Sequence, residues 1–241
     1  MAIQNSVLIV SSILILTVIL GLLIAVLVNR TFPGRGIVRV LLISPFFVMP
    51  AVNAVLWINM ILDPVLGLNG LAVTGLNEVL AGLRDFPVIG GFFSMWPEIK
   101  PMSFRASQTS AYAVIMMVTW QWTPFAVLIF MTSLQSEDES QKEAAMLDGA
   151  NAWSQFINLT VPHLARPIAI VVMIQSIFHL SLYAEIEIVS RGNGNKNLPY
   201  LIGEFTSNNI GAASATGIFA VILANVVAIF LLRMVGKSLM D

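Results

Sequence analysis

Three polar side chains at intervals of four residues lie in an apolar segment of the second half of the chain. Gln175, His179 and Tyr183 share one face if the segment is helical, because positions four residues apart are stacked on an α-helix. This face could hydrogen-bond the hydroxyl groups of a sugar or polyol and offer it an aromatic surface. The same groups could instead form hydrogen bonds between neighbouring helices.

Other polar and aromatic residues in apolar surroundings have the same two interpretations. They are Asn53, Trp57, Gln121, Trp122 and Asn225. Polar groups inside a membrane are costly and usually face a cavity, a partner or another helix. All eight residues are therefore candidates for the lining of a substrate pathway.

Two acidic residues lie near the end of the same segment as His179. Glu185 and Glu187 could take part in proton coupling, or they could simply lie at the membrane–water interface. A proton-driven secondary transporter that uses His179 or Glu185 is therefore one hypothesis. The chain shows no inverted repeats, which would favour that class.

Composition places the chain in a membrane. Of its 241 residues, 57% are hydrophobic and 10% are charged, whereas soluble domains have about 25% charged residues. A net charge of −1 gives no electrostatic basis for binding nucleic acid. The chain has no cysteine, only two histidines and no Walker A sequence, so it lacks a disulfide, a conventional zinc site and a P-loop of its own.

Five segments are long and apolar enough to span a bilayer, which takes about 20 residues per helix. They cover residues 7–28, 40–62, 111–134, 168–188 and 214–235. The chain starts without a basic residue, which argues against a signal peptide. Pro45 and Pro50 predict a kink in the second span.

Two regions between the spans are less regular. We expect residues 63–110 to form an external loop with interfacial pieces, including a short helix at 76–83. The apolar run at 88–96 is too short and too rich in glycine to span a membrane. Residues 198–213 are interpreted as a short surface helix or loop.

The segment 136–167 joins the third and fourth spans and contains two amphipathic pieces. Glu, Gln, Lys and Ala favour a helix over residues 136–146, and Gly149 can end it. A second piece places apolar residues on one face, and Pro162 and Pro167 are expected to break it. Small residues on the first piece would let another surface approach closely. The alternative is a solvated loop.

This segment resembles a known loop. Glu143-Ala144-Ala145 and Asp148-Gly149-Ala150, followed by Phe156, Pro162 and Pro167, are similar to the EAA loop of permease subunits in bacterial ATP-driven importers. The resemblance implies that the loop is a coupling helix in a groove of an ATPase subunit. The implied coupling residues are Glu143, Ala144, Ala145, Asp148, Gly149 and Ala150.

The resemblance covers nearly the whole chain. Asn29-Arg30, Pro45, Trp57 and Asp63-Pro64 resemble the early region of the family, and residues 180–186 and 222–237 resemble permeases for polyols such as mannitol and sorbitol. Seven of the twelve Lys and Arg residues then lie on the inner side, a modest agreement with the positive-inside rule. Family members usually carry one more span at the amino end, so we expect that first helix to be missing here.

The sequence thus predicts an all-α polytopic membrane bundle, with residues 1–241 as a single permease domain and 136–167 as its cytoplasmic coupling loop. The resemblance implies a subunit for carbohydrate import in the bacterial inner membrane, working by alternating access. Its expected partners are a second, different permease subunit, two ATPase subunits that use ATP and Mg, an extracytoplasmic binding protein, the substrate and the lipid bilayer. We expect no cofactor, metal or catalytic residue in this chain. The rival hypotheses are a proton-coupled secondary sugar transporter and a membrane scaffold without transport activity.

Overall fold

The computed structural model describes residues 1–30, 32–85 and 90–240, and every regular element in these ranges is helical. The all-α prediction is therefore confirmed. In chain order the helices are α1 (Ala2–Asn29), α2 (Arg35–Ile43), α3 (Pro50–Leu56), α4 (Leu68–Arg84), α5 (Gly90–Phe93), α6 (Ser110–Gln135), α7 (Glu139–Leu147), α8 (Ala152–Gln155), α9 (Val161–His179), α10 (Ala184–Ser190), α11 (Leu198–Thr206) and α12 (Ile210–Met240). A 3-10 turn (Ser44–Phe47) follows α2, and π turns follow α3 (Trp57–Ile61) and α8 (Phe156–Thr160).

Within the described residues, four helices are long and apolar enough to cross a membrane. They are α1, α6, the continuous helix Ala152–His179 and the Ile210–Phe230 part of α12. A fifth span is obtained if the helical pieces Arg35–Phe47 and Pro50–Ile61 count as one. The prediction of about five spans agrees with this.

The second predicted span is broken rather than kinked. Val48 and Met49 have extended backbone angles between the 3-10 turn and α3. Pro45 and Pro50 each lie in the first turn of a helical piece. Proline lacks the backbone N–H and is tolerated only at such a position, so each proline starts a new piece and the kink becomes a break.

The fourth predicted span has other bounds than expected, and the predicted break at the prolines is wrong. The helix Ala152–His179 runs through Pro162 and Pro167. Pro162 follows the π turn Phe156–Thr160 after one residue, Val161, and the wider turn relieves the contact between the proline ring and the preceding carbonyls. Because the helix ends at His179, Glu185 and Glu187 lie on the separate helix α10.

The connecting regions contain more helix than the sequence predicts. The short helix expected at 76–83 is the seventeen-residue α4. The apolar run at 88–96 is described only from residue 90, where α5 begins, since 86–89 lie outside the described residues. The region 198–213, predicted as a short surface helix or loop, contains helix α11, whose Leu198 and Tyr200 are buried.

The chain divides into two compact units. The first comprises Met1–Val48, Val118–Tyr183 and Asn197–Asp241. Its core is apolar and is formed by α1, α6 and α9, with Ala25, Val28, Ala126, Val127, Phe130, Met131, Leu134, Leu164 and Val171 buried. A Cβ added at Gly21 would lie 2.7 Å from the Cβ of Ala126, so this glycine allows α1 and α6 to pack closely.

The second unit comprises Met49–Met117 and Ala184–Lys196. Its buried polar groups bond to backbone: the Asn53 amide donates to the Met117 carbonyl at 3.2 Å, and the Ser110 hydroxyl donates to the Asn193 carbonyl at 2.8 Å. Arg105 donates to the side-chain oxygen of Asn59 at 2.8 Å. These bonds connect segments that are distant in sequence.

Candidate functional site

Helix α7 begins at a side-chain cap. The Asp138 carboxylate accepts a hydrogen bond from the backbone N–H of Ser140 at 2.9 Å. Such a cap satisfies one of the free N–H groups at the start of a helix. Hydrogen bonds from the Ser140 side chain and backbone N–H hold the pKa of Asp138 below its usual value of 3.8. The capping carboxylate is therefore charged at neutral pH.

The carboxyl end of α7 is closed by a Schellman motif. Gly149 has φ +81°, and its N–H donates to the Met146 carbonyl at 3.0 Å. The Ala150 N–H donates to the Ala145 carbonyl at 2.9 Å. These bonds satisfy carbonyls that the helix end would leave free, and the left-handed angle favours glycine.

Helix α8 starts at Ala152, two residues after Ala150. The Asn151 side chain accepts from the Ser154 N–H at 2.8 Å and caps α8. The Gln155 amide donates to the Ala150 carbonyl at 2.9 Å. Together with the two bonds of the Schellman motif, four hydrogen bonds thus fix the turn at residues 148–151 between α7 and the membrane-spanning helix Ala152–His179.

A buried acidic side chain joins α7 to that helix. The Glu137 side chain is only 5% exposed. One carboxylate oxygen accepts from the Thr160 hydroxyl at 2.9 Å, and the other lies 2.9 Å from the Lys142 ammonium group. The ion pair and the hydrogen bond tie α7 to the π turn Phe156–Thr160.

The surface of this segment is more apolar than its polar sequence suggests. Leu147 is 89% exposed, Trp153 is 70% exposed and Met146 is 60% exposed. Of these three residues, Trp153 lines an open cleft of about 570 Å³, together with Arg30, Glu137, Lys142 and Phe156. Of the six residues predicted to couple to an ATPase, Glu143, Ala144, Asp148 and Gly149 are exposed, and Ala145 and Ala150 are half-buried.

Three of the predicted pathway residues come together inside the first unit. The Gln175 amide donates to the Trp122 carbonyl at 3.4 Å, and the rings of Trp122 and His179 meet edge to face with centroids 5.0 Å apart. Gln175 and His179 are almost completely buried. Among the described residues, the Gln175 side-chain oxygen and both His179 ring nitrogens have no hydrogen-bond partner.

The other predicted pathway residues do not join this cluster. Gln121 donates to the Val48 carbonyl at 2.5 Å and connects two segments of the first unit. Asn53 bonds to Met117, as described above, and connects two segments of the second unit. Tyr183 stacks on Tyr200 with ring centroids 6.1 Å apart. Asn225 is exposed on α12 and donates to Val221 in its own helix, while the half-buried Trp57 begins a π turn in the second unit.

Sequence reasoning missed the contacts of Glu137. The available signal was its position directly before the helix cap Asp138 and five residues before Lys142. Its partner Thr160 is far away in sequence, and only the folded chain shows that they meet. In the described part of the chain, no group of three His, Asp or Glu side chains is arranged to hold a metal ion.

Comparison with known proteins relates the chain to transport systems. The permease protein y4oQ of Sinorhizobium fredii, a probable ABC transporter component, is 34% identical over 151 residues. The trehalose/maltose transport system permease protein MalF of Thermococcus litoralis is 28% identical over 160 residues. The matches cover 63% and 66% of this chain but only 42% and 46% of those relatives. The chain thus corresponds to less than half of either relative.

A solved structure supports the fold. The crystal structure of a bacterial ABC transporter involved in the import of the acidic polysaccharide alginate superposes with a TM-score of 0.76. The match covers 98% of this chain and 78% of that chain at 19% identity. A family model for the inner membrane component of binding-protein-dependent transport systems matches residues 17–241. The chain is therefore a multi-pass membrane protein that belongs to this family of inner membrane components.

Proposed function

We propose that the chain is a permease subunit of an ATP-driven sugar importer, and that residues 143–150 couple it to a separate ATPase subunit. One observation carries the proposal: the exposed helix α7, capped at both ends, joins the membrane-spanning helix Ala152–His179 through a fixed turn. A rigid connection of this kind can carry a displacement of α7 into the membrane. Membership in the transport family supports the proposal.

The exposed side chains of α7 suit a protein groove. Met146 and Leu147 are apolar and open to solvent, Ala144 permits close approach, and Glu143 and Asp148 can pair with basic groups. Nucleotide binding changes the conformation of a permease only if the two ATPase states interact differently with it. We infer that ATP and Mg bind the ATPase subunits and that α7 follows their movement.

For the substrate we propose a carbohydrate, specifically a sugar alcohol. The cluster of Trp122, Gln175 and His179 supports this, because buried polar atoms without partners are costly and hydroxyl groups could satisfy them. The trehalose/maltose permease among the relatives supports the broader carbohydrate class. An extracytoplasmic binding protein would deliver the substrate to this subunit and a second permease.

Substitution of Gly149 tests the coupling role. Gly149→Pro removes both the left-handed φ angle and the N–H that donates to Met146, so the turn after α7 cannot form. We expect uptake by the reconstituted transporter, and the ATP hydrolysis that uptake drives, to fall to background. The amount of protein inserted in the membrane should not change.

Gly149→Asn is the matched control, since asparagine tolerates left-handed backbone angles. It should retain most of the uptake. Normal uptake by Gly149→Pro would contradict the coupling role. Uptake that continues without ATP and stops with an ionophore would instead support a proton-coupled transporter acting through His179 or Glu185.

A further inference from the structure

Helix α4 directs the polar side chains of Asn69, Asn77 and Arg84 toward its own protein. The Asn77 amide donates to the Ile99 carbonyl at 2.8 Å, and its oxygen accepts from the Ile99 N–H at 3.0 Å. Asn69 donates to the Met102 carbonyl at 2.9 Å. Arg84 donates to the carbonyls of Phe93 and Trp96. One side of α4 is therefore held to residues 93–102 by hydrogen bonds.

The opposite side of α4 is apolar and exposed. Leu68 and Leu71 are each 62% exposed, Val79 is 60% exposed and Leu76 is 49% exposed. With Ala72, these positions recur at intervals of three and four residues, so they form one stripe along the helix. A helix in water has the reverse pattern, with apolar residues toward the protein and polar residues outside.

A third side of α4 is exposed and polar. Thr74, Glu78 and Asp85 lie beside the apolar stripe and away from the side that binds residues 93–102. The exposed surface of α4 is thus itself amphipathic. An amphipathic surface of this kind suits a boundary between an apolar medium and water.

The segments before and after α4 also expose apolar side chains. Met95 is 80% exposed, Phe92 is 63% exposed and Trp96 is 50% exposed, and the bonds from Arg84 hold this segment against α4. Tryptophan is enriched at membrane–water interfaces. Met60 in the preceding π turn and Val65 and Leu66 before α4 are exposed as well.

We propose that α4 lies in the plane of the lipid–water interface, with Leu76 and Val79 among the acyl chains and Thr74 and Glu78 toward water. We expect lipid to cover the apolar stripe, because α4 follows the helical piece Pro50–Ile61 of a membrane protein after only a short connection. The apolar stripe therefore follows, along the chain, a segment apolar enough to form part of a membrane span. This proposal does not depend on the proposed transport function.

The charges of α4 indicate how it binds. Glu78 is its one acidic residue, and the guanidinium of its one basic residue, Arg84, is engaged with backbone carbonyls. Attraction to anionic headgroups is therefore not required. Insertion should depend on apolar area, so vesicles of phosphatidylcholine alone are a sufficient probe.

Spin labels measure the surroundings of each position. The chain has no cysteine, so Leu76→Cys and Val79→Cys place single labels on the apolar stripe. Thr74→Cys and Glu78→Cys are the matched controls on the polar side. All four positions are exposed, which keeps the labels from disturbing the packing. Accessibility to oxygen, which concentrates in lipid, is compared with accessibility to a water-soluble nickel chelate.

In phosphatidylcholine vesicles, we expect a several-fold higher ratio of oxygen to nickel accessibility at positions 76 and 79 than at 74 and 78. Equal, water-like values at all four positions would overturn the proposal. Shielding of 76 and 79 from both reagents would also overturn it, because a protein surface would then cover the stripe. Elution of each labelled variant like the cysteine-free chain shows that it has folded.

Discussion

Single residues determine where α7 begins and ends. Asp138 caps the first turn, and Gly149 closes the last turn with a backbone angle that most side chains avoid. Neither residue needs a distant partner for this role. Both ends of the helix are therefore set by local chemistry, and a single substitution at either position tests them.

The Asp138 cap predicts a pH dependence. Because hydrogen bonds from Ser140 lower the pKa of Asp138, its contribution to the stability of α7 is complete above the ordinary value of 3.8. That contribution is lost as the pH falls through the lowered pKa. Titration of the aspartate carboxyl carbon by NMR should give a midpoint below 3.8, and Asp138→Asn identifies the signal by removing it. A midpoint at or above 3.8 would show that the cap is absent.

At the scale of elements, Glu137 connects α7 to the helix Ala152–His179. The π turn Phe156–Thr160 carries Thr160, and its hydroxyl reaches the carboxylate that also pairs with Lys142. The carboxylate is buried, so water does not replace a lost partner. The two helices should therefore move together as long as this contact persists.

A double-mutant cycle tests this contact. Glu137→Gln and Lys142→Met should each destabilise the packing of α7 by about 1 kcal/mol, the usual scale for a partly buried charged contact. We expect faster amide hydrogen exchange over Glu139–Leu147 in each variant and little further change in the double variant. Glu143→Gln, an exposed acidic residue on the same helix, is the control and should have no effect. Additive effects of the two substitutions would show that the pair does not interact.

At the scale of the whole molecule, the chain belongs to a family of inner membrane transport components. In the importer that we propose, partner subunits and lipid cover the exposed side chains of α7 and of the apolar helices. Leu147 and Trp153 are exposed apolar side chains, and Trp153 also lines the open cleft. A partner that covers them would remove apolar surface from water, which stabilises the assembly.

Affinity purification tests the assembly that we propose. The tagged chain in gentle detergent should bring along an ATPase subunit and a second permease, because α7 offers a docking surface. The binding protein of the same system can then be screened against polyols and disaccharides. A preference for disaccharides would overturn the sugar-alcohol proposal but not the importer. Recovery of the chain alone in good yield would contradict the importer itself.

The sequence by itself determined the features that depend on local physics. Composition and run length predict a helical membrane protein with about five spans, because an apolar helix needs only enough length to cross the bilayer. Gly149 predicts the end of α7, because the motif there involves neighbouring residues only. The eight candidate pathway residues were identified from sequence, because polar and aromatic side chains stand out in apolar segments, and their role in transport stays a prediction.

Tertiary structure decided which of these groups meet. Gln175 and His179 join Trp122, whereas Gln121 bonds to backbone, and nothing in their spacing distinguishes the two outcomes. The same holds for Glu137, whose partner Thr160 is 23 residues away. Pro162 does not break its helix, because the preceding π turn relieves the contact of its ring with the preceding carbonyls. Helix α4 turns the side that carries Asn77 toward the protein. Contacts between distant segments depend on how the helices pack in the folded chain. The periodicity of the sequence does not show which neighbour each side chain will meet.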